Sequence, residues 1–225
     1  MLVDTNNKIN GDIVNDRIKD VLASIKQIQM EELQELSVVI SIITFAENAK
    51  CIVEQVKVID YIHSPIVFDG VKKRFSDAYA LLNAKLTRKE FMNHTGRIAH
   101  PYILLITDGN PISDDNYDSE LKALLENGWF TNSQRFAVLI GDAIKSTNTR
   151  NAVSKFVSNT EEGIIELDKI ESVLNYYRPI HIGPRVQNFP ISNNHVEDYK
   201  DATASVNDFG GFGGFDGDFG NDSFI

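Results

Sequence analysis

The apolar positions of this chain follow two patterns, continuous runs of a few residues and longer stretches with helical spacing. Continuous apolar runs bounded by turn-forming residues predict strands that are buried on both faces. Such runs lie at residues 2–3, 37–45, 102–107, 136–140 and 163–167. Apolar residues that recur every three or four positions predict helices near residues 11–30, 75–86, 121–125, 151–157 and 170–177.

One segment departs from this alternation of strand and helix. Residues 46–48 predict a tight turn, and residues 49–58 alternate more loosely, which together indicate a hairpin whose second strand lies at a sheet edge. The pair Asn127-Gly128 is typical of a helix C-terminus, so we expect the third helix to end near these residues. Strands that otherwise alternate with helices form βαβ units. The sequence therefore predicts an α/β fold: a mainly parallel central sheet, one antiparallel edge strand, and helices on both faces.

Composition narrows the class of protein. The chain has 225 residues, of which 42% are hydrophobic, enough for one α/β domain with an appendage. A net charge of −10 argues against binding to nucleic acids or to anionic membranes. The sequence shows neither an apolar run that could span a bilayer nor an N-terminal signal segment, so we expect a cytoplasmic protein. The single cysteine, Cys51, excludes an internal disulfide and a cysteine-cluster zinc site, and is expected to pack within its strand.

The composition changes after about Arg178. We predict a folded domain over residues 1–178, a polar linker over residues 179–206, and a disordered tail rich in Phe, Gly and Asp over residues 207–225. The phenylalanines spaced along this tail are Phe209, Phe212, Phe215, Phe219 and Phe224. The tail is either a soluble tether or a linear motif that docks into grooves of a partner, and the regular spacing favours the motif.

Two of the apolar runs stop at an aspartate, Asp4 and Asp108, and each is followed by turn-forming residues. If the two strands are neighbours in a parallel sheet, both carboxylates emerge at its carboxyl edge, where open α/β sheets bind ligands. A purely structural interpretation is that each aspartate caps the turn or helix that follows. Both interpretations stay open at this point.

These residues resemble a von Willebrand factor A (vWA) domain, specifically the bacterial cytosolic kind found in TerY-like, tellurium-resistance-associated proteins. The metal-ion-dependent adhesion site (MIDAS) of that family begins with Asp-x-Ser-x-Ser and a glycine three residues later; here the stretch from Asp4 to Gly11 reads D-T-N-N-K-I-N-G. Its third element is Thr-Asp-Gly, and residues 107–109 match it. Its second element is a threonine shortly before a helix, and the register places Lys73 there. The resemblance covers residues 1–177 and implies a Rossmann-like vWA fold.

The resemblance breaks at the metal ligands. Mg²⁺ requires oxygen donors, which Asp4, Asn6 and Asp108 supply, but Lys8 replaces a serine and Lys73 the threonine. Lysine has hydrogen-bond donors and no acceptor, and its ammonium group neutralises carboxylates without a metal. We therefore expect a degenerate site in which lysine takes the place of the cation and no cofactor is needed. One alternative is that the site still binds Mg²⁺ weakly, with Lys8 turned outward. Another is that both lysines are ordinary surface residues.

The resemblance implies a non-enzymatic protein–protein interaction module in a stress-response or phospho-signalling assembly. The predicted partner-binding residues are Asp4, Asn6, Lys8, Lys73 and Asp108. The expected partner is another protein, a kinase or a phosphatase by analogy with TerY-like proteins, and neither a nucleic acid, a membrane nor a small-molecule substrate. The alternative is a metal-dependent hydrolase or phosphatase that uses Asp4 and Asp108.

Two further groups have both a structural and a functional interpretation. Asp114, Asp115 and Asp118 follow the Thr-Asp-Gly turn and form either a solvated loop with a charge at a helix start, which we favour, or an acidic rim of the site. Trp129 and Phe130 either pack under the sheet edge, which we favour, or anchor a partner.

Overall fold

The computed structural model describes residues 1–31, 37–93, 98–109 and 111–176. The predicted domain end at residue 178, the linker, the tail and its phenylalanines lie outside the described residues. The strands are β1 (Leu2–Asp4), β2 (Val39–Phe45), β3 (Ala49–Lys57), β4 (Tyr102–Thr107), β5 (Gln134–Leu139) and β6 (Ile164–Glu166). The α-helices are α1 (Gly11–Glu31), α2 (Phe75–Lys85), α3 (Tyr117–Leu125), α4 (Gly128–Thr131) and α5 (Thr147–Ser154). Two 3-10 helices span Gly141–Lys145 and Leu167–Tyr176.

The strands form one six-stranded sheet in the order β3-β2-β1-β4-β5-β6. All neighbouring pairs are parallel except β2 with β3, which form the predicted antiparallel hairpin at one edge. β1 has only three residues, yet it lies in the middle of the sheet between β2 and β4. Because β1 and β4 are parallel neighbours, their carboxyl ends lie at the same edge of the sheet. This is the arrangement that would bring Asp4 and Asp108 together.

The core has two layers, one on each face of the sheet. Successive residues of a strand point to opposite faces, so Leu2 packs into one layer and Val3 into the other. α1 and the last 3-10 helix cover one face, and α2, α3, α4 and α5 contribute buried residues to the other. This confirms the predicted fold class. Among the described residues, no helix has the length and hydropathy that crossing a bilayer would require.

Several element ends differ from the predictions, in two cases because a side chain caps the start of a helix. Asn127 does not end α3, which already ends at Leu125; its side chain instead accepts hydrogen bonds from Trp129 N and Phe130 N and so begins α4. The fourth predicted helix starts earlier than residue 151 because Ser146 caps α5 by accepting from Thr149 N. The closing helix is a 3-10 helix that begins at Leu167.

Candidate functional site

The floor of the site is the buried carboxylate of Asp4. Its side chain is 0% exposed, and each of its oxygens accepts a hydrogen bond: Oδ1 from Asn6 N at 3.0 Å and Oδ2 from the Thr107 hydroxyl at 2.7 Å. Burial raises the pKa of Asp4 from 3.8 to about 6, and the two hydrogen bonds offset part of that effect. The carboxylate is therefore held in place but is costly to ionise.

The loop after β1 is shaped by two side chains that bond to the backbone two residues ahead. Asp4 accepts from Asn6 N, and Asn6 Oδ1 in turn accepts from Lys8 N at 3.0 Å. Such turns are a normal role for Asp and Asn, so the structural interpretation of Asp4 holds for one of its oxygens. Asn6 is 2% exposed, whereas the side chain of Lys8 is exposed, with no ion pair among the described residues. The structure brings Asn6 into the site and leaves Lys8 at its rim.

Gly70 fixes this loop against the segment that leads to α2. Its N–H donates to Thr5 O at 3.0 Å, and its carbonyl accepts from Asn7 N at 2.7 Å, a parallel bridge outside the sheet. A Cβ atom at this position would lie only 2.2 Å from the Cβ of Ala46. The close approach of three backbone segments therefore requires glycine here.

The mouth of the site is an ion pair between Lys73 and Asp108. The two side chains are 16% and 18% exposed, and Lys73 Nζ contacts Asp108 Oδ1. A Cβ at Gly109 would lie 3.1 Å from the same Nζ, so the glycine leaves room for the amine above the turn. The sequence comparison placed Lys73 at the threonine position of the second MIDAS element. In the structure its amine lies next to the carboxylate of Asp108, which belongs to the third element, Thr-Asp-Gly.

Asp115 is a site residue that the sequence analysis misassigned. It is 8% exposed, and its carboxylate accepts from Phe75 N at 2.6 Å and Ser76 N at 3.2 Å, which are the first N–H groups of α2. Asp115 is therefore not solvated as expected, although its charge does lie at a helix start, that of α2. Its neighbours behave differently: Asp114 lies 3.8 Å from an Arg74 nitrogen, and Asp118 pairs with Lys155 at 2.9 Å.

The aromatic pair after α3 is packed rather than free. Phe130 is fully buried against Phe156, and Trp129 is half-buried with the guanidinium of Arg88 above its ring, 5.3 Å from the centroid. Cys51 is half-buried in β3 and packs against the core, as expected. The aromatic pair therefore packs against the fold.

The residues present do not fit the divalent ion that the vWA fold implies. A magnesium ion needs near-octahedral coordination by oxygen atoms about 2.0–2.1 Å away. Both oxygens of Asp4 and the Asn6 carbonyl already accept hydrogen bonds, and the Thr5 hydroxyl donates to Phe45 O at 3.2 Å. The remaining acid, Asp108, contacts an ammonium group, which repels a cation.

Comparison with known proteins shows the fold of the chain. No protein-family model matches the chain, and no curated protein matches it. Two structures of proximal thread matrix protein 1 from the mussel byssus are similar, with TM-scores of 0.55 and 0.51 and sequence identities of 12% and 17%. They cover 79% and 78% of this chain, which spans only 46% and 43% of theirs. The ArnB paralog VWA2 from Sulfolobus acidocaldarius has a TM-score of 0.47 at 14% identity, covering 77% of this chain and 42% of its own.

At these identities the similarity concerns the fold alone. It confirms the predicted Rossmann-like vWA fold. The TerY-like kind, the degenerate metal site and the partner-binding residues stay predictions.

Proposed function

We propose that this protein is a non-enzymatic protein–protein interaction module that binds its partner at the carboxyl edge of the sheet. The observation that carries the proposal is the Lys73–Asp108 ion pair, partly exposed at the mouth of the site above the buried Asp4. In this proposal the ammonium of Lys73 takes the place of the metal ion that the resembled family binds. The fold itself is compatible with this role and does not demand it.

A partner's carboxylate is the group that such a mouth would accept. The ammonium of Lys73 has three hydrogen-bond donors, and it contacts Asp108 as an ion pair. This ammonium can pair with an Asp or Glu side chain of another protein. If a metal ion were bound instead, the same carboxylate would complete the coordination of the metal. The exposed Lys8 lies on the same loop as Asn6 and supplies a second positive charge at the rim.

The alternative, a metal-dependent hydrolase, has weaker support. It needs both aspartates free to hold a divalent ion and a base placed to activate water. Asp4 has both oxygens in internal hydrogen bonds, and Asp108 contacts Lys73. The described geometry therefore favours recognition over hydrolysis.

The wider context of the proposal comes from the sequence. The TerY-like resemblance suggests a stress-response or phospho-signalling assembly with a kinase or phosphatase as the partner. The tail phenylalanines would provide a second contact, ordered only on binding. A cytoplasmic location is part of the same proposal.

Capture experiments with matched lysine variants test the proposal. The full chain is immobilised and incubated with native lysate, once with Mg²⁺ and once with EDTA, and captured proteins are quantified by mass spectrometry. The variants are Lys73→Met, the neighbouring exposed control Lys72→Met, and a chain shortened after Asn207. We expect a set of proteins that is lost with Lys73→Met, retained with Lys72→Met and insensitive to EDTA, and reduced by the truncation.

The affinity of the purified partner then measures how much Lys73 contributes to binding. An interfacial charge pair that loses one member costs about 2 kcal/mol or more, so Lys73→Met should raise Kd at least about thirtyfold in calorimetry. Equal binding by both lysine variants would refute the proposal. Hydrolysis of p-nitrophenyl phosphate that requires Mn²⁺ and is abolished by Asp108→Asn would support the hydrolase instead.

A further inference from the structure

Four contacts fix the short segment that carries Lys73. Its own carbonyl accepts from Ile112 N at 3.3 Å, and the next N–H, that of Arg74, donates to Ala46 O at 3.0 Å. The following two N–H groups, at the start of α2, donate to the buried carboxylate of Asp115. The backbone from the Lys73 carbonyl to the start of α2 is therefore held by the turn after β2 and by the loop after β4.

The start of α2 has no cap of its own. Arg74 occupies the N-cap position with an extended backbone, and its side chain makes no capping hydrogen bond. A helix normally draws its cap from the residue directly before it. Here the cap comes from a residue 40 positions further along the chain, on the loop that also begins with Asp108. The same loop thus supplies the carboxylate that Lys73 contacts and the carboxylate that fixes where Lys73 emerges.

We propose that Asp115 is a positioning residue that makes Lys73 a tethered cation over Asp108, so that the site works without a divalent ion. This inference deepens the proposed function and rests on it only for the role of the site in binding. The amine lies over Gly109, in the space where a larger residue would intrude. A metal ion would have to displace an ammonium group that is covalently attached to the fold, and therefore present at high effective concentration.

The reactivity of single lysines measures this positioning directly. The full chain is labelled with an amine-acylating reagent, and the rates at Lys73 and at the adjacent, exposed Lys72 are compared by mass spectrometry. An amine reacts only while it is detached from its carboxylate partner. An ion pair at the upper end of the range for surface pairs, about 1 kcal/mol, is formed about five times as often as it is broken. Lys73 should therefore react about fivefold more slowly than Lys72. Asp115→Ala should bring the Lys73 rate close to that of Lys72.

Two further variants separate positioning from general destabilisation. Asp115→Asn keeps one acceptor oxygen and should restore most of the protection of Lys73, whereas Asp118→Ala, in the first turn of α3, should leave it unchanged. Near-UV circular dichroism shows whether each variant is folded, and Asp115→Asn carries the test if Asp115→Ala is not. Equal labelling of both lysines in the wild-type chain, or full protection of Lys73 in a folded Asp115→Ala variant, would overturn the inference.

Metal titration tests the second half of the inference. Calorimetry with Mg²⁺ and Mn²⁺ should detect no binding at about millimolar concentration in the wild-type chain, the weak end of protein sites for hard cations. Lys73→Thr, and the double variant with Lys8→Ser, should gain affinity at least about tenfold because a hydroxyl ligand replaces a repelling charge. Submillimolar binding by the wild type, or no gain in either variant, contradicts the tethered cation. Neither the labelling assay nor the metal titration uses a partner protein. A failure of this inference can therefore be distinguished from a failure of the proposed function.

Discussion

Replacing Asp4 by asparagine should stabilise this protein at neutral pH. Asparagine has the same shape, so its carbonyl oxygen can accept from Asn6 N, while its amide group can donate to the Thr107 hydroxyl oxygen. That hydroxyl can then donate to Gly109 O, to which it already lies at 3.3 Å. The substitution keeps the hydrogen bonds and removes only a charge that is costly to bury.

The magnitude follows from the pKa of Asp4. Burial raises this pKa from 3.8 to about 6, or about two units, and each unit corresponds to about 1.36 kcal/mol. Because the folded state holds the proton more tightly than the unfolded state, wild-type stability falls as the pH rises through this window. Above pH 6 the charged form costs the folded state about 3 kcal/mol. Below about pH 4 the carboxyl is protonated in both states and the cost vanishes.

Urea unfolding at a series of pH values between 4 and 8 measures this cost. The free energy of unfolding of Asp4→Asn should exceed that of the wild type by up to about 3 kcal/mol above pH 6, with the difference shrinking toward zero at pH 4. Asp142→Asn is the control, because the Asp142 side chain is 93% exposed and should show little change. A destabilised Asp4→Asn variant at pH 7, or a difference that does not vary with pH, would refute the reasoning.

Three other substitutions test the packing around the site by thermal or urea unfolding. Tyr79→Phe should stabilise the protein by about 1 kcal/mol, because this hydroxyl is fully buried with no hydrogen-bond partner among the described residues; a loss of stability would reveal a partner. Arg135→Met should cost about 3 kcal/mol or more, because the buried guanidinium donates to four backbone carbonyls, and a neutral result would contradict this. Gly70→Ala should cost about 1–3 kcal/mol through its clash with Ala46, whereas Gly128→Ala, with open space around it, should be tolerated.

The position of the site could be predicted from the sequence because it depends on local patterns. An apolar run that ends at Asp4, and another that ends at Asp108, require only that the two strands be parallel neighbours, which they are. Lys73 could be placed because it lies at a fixed distance before the apolar face of α2. Thr107 was quoted as part of a motif, but its hydrogen bond to Asp4 needs the register between β1 and β4.

The role of Asp115 could not be predicted because its partner is distant in the sequence. In sequence it is one of several acidic residues in a polar loop, and only the fold brings it to the start of α2. A weak signal did exist: the residues before α2 include no Ser, Thr, Asp or Asn directly at the N-cap, so a cap from elsewhere was needed. The role of Asn127 as a helix C-cap was a simpler error, since Asn is as typical of a helix start as of a helix end.

The site combines a charge that destabilises the fold with one that is well compensated. Asp108 has an ammonium partner, whereas Asp4 is fully buried with only neutral hydrogen-bond donors and a raised pKa. Because the attraction of Lys73 is the smallest of the influences on that pKa, we do not expect the buried charge to be what holds the lysine in place. If the charge of Asp4 instead alters the electrostatic potential around Lys73 and Asp108, Asp4→Asn should bind the partner with altered affinity while gaining stability. A gain in stability with unchanged affinity would assign Asp4 to the turn after β1 alone, and leave recognition to Lys73 and Asp108.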